Sequence, residues 1–469
     1  MSYHYDILLK NGLVVDPVTN REEIADIAIA GGKIVEIMPG LSAEKAQEAF
    51  DLKGHMVMPG IVDLHAHASA WLGGRFGHKM MAQVGVTTAL DMSGPIDSVL
   101  DIASEYGVGM NIACIQYVRP GHTVRDTNPG EKELETLLEQ CLTQGGLGFK
   151  MLGGHYPLTP EATARAIEIV NKNKAYVAFH AGSLNKGSNI EGFLEAVELA
   201  QGNSLHMAHI NSYCRGSVRP CLVETEEAIA ALEKNPNIRS EAYLSPMNGT
   251  SAKCSGGTPE SLVTHKCLNT GGFEATEAGL EAAILAGWAQ INLEKGGEVV
   301  LAIGQEALEY WRSKGTETTV SFSVNPPEPR LRLAVAKRQS GEFVVDCIGT
   351  DGGGIPRNVI AEMGLSLVRL QALTLKEFVQ KISCTPARIL GLKNKGHFTL
   401  GADADITVLD LERQRAYMSL VNGKVIMYKG YVCGKGGNVI ATAQGEAAVR
   451  AKGLNPVIVD LADSKFYQR

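Results

Sequence analysis

Residues 58–67 read MPGIVDLHAH. Pro59-Gly60 breaks the texture of the preceding chain, and the apolar run behind it ends in two histidines, as a buried strand with polar groups at its C-terminal end would. Seven more runs of the same kind follow: TTALDMSG (87–94), GMNIACIQYV (109–118), LGFKMLG (147–153), AYVAFHAG (175–182), SLHMAHIN (204–211), IRSEAYLSP (238–246) and VVDCIGTDGG (344–353). Helix-like segments alternate with them. One is LTPEATARAIEIVNKNK (158–174), where Thr159 caps, Pro160 suits the first helical position and Glu161 favours the positive end of the helix dipole. Eight β-then-α units imply an α/β protein with a closed (β/α)₈ barrel, whose functional residues gather at the C-terminal ends of the strands.

The flanks read differently. DILLKNGLVVDP and IADIAIAGGKIVEIMPG alternate apolar and polar residues around Asn11-Gly12 and Gly31-Gly32, the pattern of short strands joined by tight turns. ADITVLDL and SLVNGKVIMYKGYVC repeat it near the other end, with Asn422-Gly423 at a hairpin position. Residues 1–58 and 397–469 are therefore expected to form a small β-sandwich plus a tail that wraps over the barrel from about Glu446, and residues 59–396 the barrel. The Gly/Pro-rich stretch from Gly249 to Arg330 is expected to hold inserted helices and active-site loops.

Composition narrows the function. A chain of 469 residues with 45% hydrophobic and 20% charged residues is ordinary for a globular protein. Lys+Arg 44 against Asp+Glu 51 leaves a net charge of −7, so no basic field invites nucleic acid or an anionic membrane. No apolar run approaches the roughly 18 residues of a membrane span, and the first residues lack a signal-peptide layout, so the chain reads as cytoplasmic. Nine cysteines without a Cys-x-x-Cys pair read as reduced, buried thiols.

His65 and His67, two apart on one strand, point the same way and can share an ion. Lys150, His180, His209 and Asp351 stand at the ends of other candidate strands. If the barrel forms, all six aim into one mouth. His206, three residues before His209, faces the other side of its strand and reads as structural. Arg215 and Asn325 lie in loops where substrate contacts are expected.

The ordered set MPGIVDLHAH, GVTTALD, GFK, the two strand-end histidines, GTDGG and TPARILGLKNKGHFTLGADADITVLD (385–410) resembles the amidohydrolase superfamily over nearly the whole chain. That resemblance implies a (β/α)₈ barrel with a β-sandwich built from both chain ends. It also implies two divalent ions, zinc first among candidates. His65, His67 and Asp351 would hold the more buried ion and His180 and His209 the more exposed one. Lys150, N-carboxylated by carbon dioxide, would bridge both. Two such ions can hold one hydroxide for attack on an amide carbonyl. Asp351 is the natural proton shuttle to the leaving nitrogen. His155 occupies the place of the oxyanion-supporting tyrosine of hydantoinase-like members, with Tyr156 next to it, so either can assist the tetrahedral intermediate.

The expected reaction is therefore hydrolysis of a non-peptide C–N bond in a small amide. A cyclic amide of the hydantoin or dihydropyrimidine type comes first, and an N-acyl-D-amino acid second, because GVTTALDMSG resembles the deacylases although Ser93 stands where they place a cysteine ligand. An acyl amino acid would bring a carboxylate for Arg215 or Arg219. A metal-free, hydantoinase-like scaffold protein is the alternative of another class, and the full ligand set argues against it. The resemblance also implies a homo-oligomer.

Overall fold

A computed structural model describes residues 4–70 and 74–468. Eight parallel strands carry the middle of the chain: β1 (Ile61–His67), β2 (Val86–Asp91), β3 (Val108–Cys114), β4 (Gly148–Leu152), β5 (Tyr176–His180), β6 (Leu205–Met207), β7 (Ile238–Tyr243) and β8 (Cys347–Gly349). Each is followed by a helix before the next begins, from Gly74–Gln83 after β1 to Ile360–Arg369 after β8. β2 and β7 are buried along their whole length, as strands covered on both faces must be. The expected helix spans Pro160–Lys172, and the Thr159 hydroxyl accepts the Ala162 N–H at 3.2 Å.

The strand pairings run in a cycle. β1 pairs with β2 and β2 with β3. β3 continues as Gln116–Val118, which pairs with β4, and the order then follows the chain to β8. Just past β8, Gly352–Gly353 pairs with Ala66 and His67 of β1. A Cβ on Gly353 would lie 2.3 Å from the carbonyl oxygen of His67, so this closure requires glycine.

Both flanks enter one nine-stranded sheet, joined where Met56–Pro59 pairs with Ile406–Asp410. Ile7, Leu9, Ile27 and Ile29 from one flank share an apolar core with Ile406, Val408, Met418 and Leu420 from the other. Gly31-Gly32 and Asn422-Gly423 make the expected hairpin turns. Asn11-Gly12 does not: it forms a bulge inside the single strand Tyr5–Asp16, where Asn11 takes φ 59° and its N–H bonds the Asp26 carboxylate at 2.7 Å.

Two regions depart from the sequence expectation. Residues 247–323 hold the expected inserted helices, but they pack on a sheet as a folded lobe. Met247–Ser251, Thr319–Ser323, Ala289–Lys295 and Glu298–Ala302 form an antiparallel sheet, with three helices around a core that includes Leu268, Ile284, Trp311 and Phe322. The lobe leaves the ring at β7 and reaches the helix after β1, where Arg75 pairs with Glu294 and Lys79 donates to the Gly297 carbonyl at 2.9 Å.

The tail also does more than wrap. Gly436–Ala441 pairs in parallel with β3, and Asn455–Ile458 pairs with Gly436–Ala441. Beyond them, Phe466 stacks on Tyr176 at the N-terminal end of β5, with ring centroids 4.5 Å apart. All nine cysteines are unpaired, and among the described residues no helix is long and apolar enough to cross a membrane.

Phe466 is 1% exposed, so Phe466→Ala is expected to cost roughly 3–5 kcal/mol of stability, read as a lowered denaturant midpoint. A change below about 1 kcal/mol would show that the tail is not part of the packed core.

Candidate metal centre

The strand ends bring five of the six predicted ligand residues together in two groups, and the sixth, Lys150, is buried on β4. In the first, Asp351 Oδ1 lies 2.8 Å from His67 Nε2 and 3.2 Å from His65 Nε2, and one ligand atom from each of the three residues falls within 4.8 Å of the others. The closure of the ring creates this group. Asp351 N–H donates to the His65 carbonyl and Gly354 N–H to the His67 carbonyl, both at 2.8 Å.

In the second group, His180 Nδ1 and His209 Nε2 are 3.1 Å apart. Ser188 Oγ, 2.9 Å from His180 Nε2, can accept its proton and leave Nδ1 with a lone pair facing His209. Two nitrogens that share one tetrahedral ion at about 2.0–2.1 Å stand at nearly this separation, so the donor set fits a divalent cation. The His65 and His209 rings stack with centroids 5.2 Å apart and join the two groups.

Two of these residues lie past the ends of their strands in left-handed backbone, His209 at φ 70° and Asp351 at φ 51°. Such conformations are held against an intrinsic cost where the surrounding structure fixes them, and they cluster at functional sites. They also aim the side chains. His209 stands two residues past Met207, the last residue of β6, so a turn and not the strand's pleat sends it to the mouth while His206 stays below.

Lys150 is buried on β4, and its Nζ meets the Met92 sulfur at 3.3 Å. Among the described residues it forms no ion pair. Burial lowers its pKa to about 8 although Glu241, Asp351 and Asp91 pull the other way. A part-neutral amine is what reaction with carbon dioxide requires. Burial likewise lowers His65 to about 3 and holds His180 and His209 well below the usual imidazole range, so all three are neutral, as ligands must be. Burial would raise Asp351, but the Arg357 guanidinium, 2.8 Å from Oδ2, and the two β1 histidines outweigh it and keep the carboxylate ionised.

The remaining predicted residues take distinct places. His155 is exposed at the mouth, edge-on to His180 with ring centroids 5.4 Å apart. Tyr156 turns aside, under the Arg119 guanidinium at 4.2 Å. Arg215 donates to Asn325 at 2.8 Å, Asn248 at 2.9 Å and the Tyr243 hydroxyl at 3.3 Å, while Asn325 spends its amide N–H groups on Tyr243 and two carbonyls. Arg219 points away, paired with Glu227 at 2.7 Å. Ser93 is hydrogen-bonded to Asp91, and Met92, just past the end of β2, is the residue that faces Lys150. Sequence reasoning missed Ser188 and Arg357 because both stand in loops whose course it did not give.

The ring, the strand-end histidines and the paired donor groups form a site whose donor chemistry suits divalent metal ions. Residues 56–232 and 332–439, more than half of the chain, match the amidohydrolase family, so the chain belongs to it and acts on carbon–nitrogen bonds. Dihydroorotase of Geotalea daltonii is 22% identical over 449 residues, covering 86% of this chain and 89% of that one. Among solved structures, N-acyl-D-glutamate deacylase of Bordetella bronchiseptica, complexed with zinc and a phosphonate inhibitor, superposes with a TM-score of 0.66 at 16% identity, covering 93% of this chain and 99% of that one. A D-hydantoinase superposes with a TM-score of 0.62 at 17% identity, covering 93% and 99%.

Ser188→Ala is expected to weaken divalent-ion binding by about 10-fold, measured by calorimetric titration, because His180 loses the partner that fixes its tautomer. Unchanged affinity would show that Ser188 does not orient it.

Proposed function

We propose that this chain hydrolyses a small non-peptide amide with two divalent ions, in a (β/α)₈ barrel of about residues 59–396 that carries the flanking sheet as its β-sandwich. His65, His67 and Asp351 hold one ion, His180 and His209 the other, and an N-carboxylated Lys150 both. The observation that carries this reading is the convergence of two donor groups, joined by the stacked His65 and His209 rings, in a ring whose buried Lys150 forms no ion pair among the described residues. When bound, such ions acidify water and polarise the amide carbonyl.

The chain's own groups supply the rest. Asp351, kept ionised by Arg357, accepts a proton and delivers it to the leaving nitrogen. His155, at the mouth beside His180, supports the developing oxyanion. Arg215 binds substrate and Asn325 holds it in place.

Asp351→Asn keeps the side-chain shape and one coordinating oxygen but cannot carry a proton. Turnover is expected to fall by at least about 100-fold, with the fold retained by circular dichroism and inhibitor binding changed less. Near-normal turnover and metal content would remove Asp351 from the mechanism.

A cyclic amide remains the first substrate class, supported by Lys150 and the likeness to a D-hydantoinase. One observation favours a substrate that bears a carboxylate, on a ring or as an N-acyl amino acid. Arg215 forms no ion pair among the described residues, and its Nη1 donates to none of them, although the guanidinium is half-buried beside His180 and His209. A desolvated cation with neutral partners fits an anion brought by the ligand. Rates on a neutral hydantoin, its carboxylate-bearing analogue and a matched N-acyl-D-amino acid test this. The carboxylate-bearing ring is expected to be fastest by about tenfold or more, with Arg215→Gln removing the advantage through KM. A faster neutral ring sinks the carboxylate, and a faster acyclic substrate transfers the reading to the deacylases.

A further inference from the structure

Below the ligand groups, a column of buried side chains from four strands runs toward the N-terminal end of the ring. Glu241, on β7, is 1% exposed and stands between two histidines. Its Oε1 pairs with His65 Nδ1, and its Oε2 lies 3.2 Å from His206 Nε2. On the far side of that ring, His206 Nδ1 meets the Tyr176 hydroxyl at 2.6 Å. His206 and Tyr176 are fully buried. Among the described residues, no lysine or arginine lies within ion-pair distance of Glu241, and Glu241 Oε2 and His206 Nε2 face each other at 3.2 Å as two buried atoms that hydrogen-bond to no other group.

A buried carboxylate without a cation is tolerable only where N–H groups point at both oxygens. Here the available donors are His65 Nδ1 and His206 Nε2, so each nitrogen must carry the proton of its ring. The consequence propagates both ways. His206 Nδ1 is then bare, and the Tyr176 O–H is the donor it faces. His65 Nε2 is also bare, and it is the nitrogen 3.2 Å from Asp351 Oδ1.

We propose that Glu241, His206 and Tyr176 are positioning residues that lock His65 in the tautomer whose Nε2 can bind a divalent cation. The proposal rests on the reading of His65 as a ligand. It assigns the β7 glutamate a role in metal affinity although the residue touches neither the ion nor the substrate.

The test is ¹⁵N-histidine NMR of the metal-free protein together with zinc affinity by competition with a chromophoric chelator, for wild type, Glu241→Gln and Tyr176→Phe. In wild type, His65 is expected with its proton on Nδ1 and His206 with its proton on Nε2. The Glu241→Gln amide offers one acceptor and one donor in place of two acceptors. His206 is then expected to move its proton to Nδ1, and zinc affinity to fall about 10–100-fold with unchanged circular dichroism. Tyr176→Phe removes the donor to His206 Nδ1 and is expected to give a mixture of His206 tautomers, so it tests the column even if Glu241→Gln does not fold. A proton on His65 Nε2 in wild type, zinc affinity of Glu241→Gln within about twofold of wild type, or a His206 signal unmoved in Tyr176→Phe overturns the proposal. If wild type binds no zinc, the ligand reading of His65 fails separately, because the tautomers are read without metal.

Discussion

Everything at the mouth depends on one parallel pairing, the two-residue contact that joins the end of the chain's eighth strand to the first. Gly352 and Gly353 lie against Ala66 and His67, and Asp63 ties the same seam lower down by accepting the Thr350 N–H at 3.2 Å and the Thr350 hydroxyl at 2.5 Å. Nearly three hundred residues separate the two partners in sequence. Without the seam His67 and Asp351 have no reason to meet. With it they stand 2.8 Å apart, and the second donor group can face them across the ring.

The interior holds several carboxylates, and their partners tell their roles apart. Asp91 accepts backbone N–H groups from Ala68, Ser93 and Gly94, which makes it a fastener for the loops after β1 and β2. Asp63 is sealed so tightly that burial raises its pKa to about 7 despite the N–H and O–H groups around it. It is a seam residue with no route to substrate. Asp351 differs because a cation, Arg357, and two imidazoles face it, and because it opens toward the mouth. An anion that the protein already satisfies with hydrogen bonds is structural, whereas one surrounded by lone-pair donors is set up to share a metal.

The eight strands could be read in the sequence because each is a short apolar run with a change of chemistry at its C-terminal end, and five of the six ligand candidates sit at such a change. Asp351 was found the same way, through the glycines after it. Glu241 was not, because in IRSEAYLSP an alternating polar residue looks like a solvent-facing one until closure turns that face inward. The lobe at residues 247–323 escaped for a different reason. Its first strand pairs with its last, some seventy residues on, and no local pattern encodes such a partner. The tail strands, which pair with β3 from the far end of the chain, were hidden likewise.

The left-handed backbone at His209 and Asp351 also bears on how such a site can change over time. Most side chains resist that conformation, but asparagine, aspartate and glycine accept it readily. At these two positions the few substitutions the backbone accepts therefore include other oxygen donors. On the proposed ligand assignment, a lineage that replaces the imidazole of His209 with a carboxylate or an amide alters the preferred ion without disturbing the turn that aims it. Substitutions to bulky or β-branched residues are filtered out by the backbone before chemistry is consulted. The turn thus narrows the mutational paths from this centre toward neighbouring ligand sets.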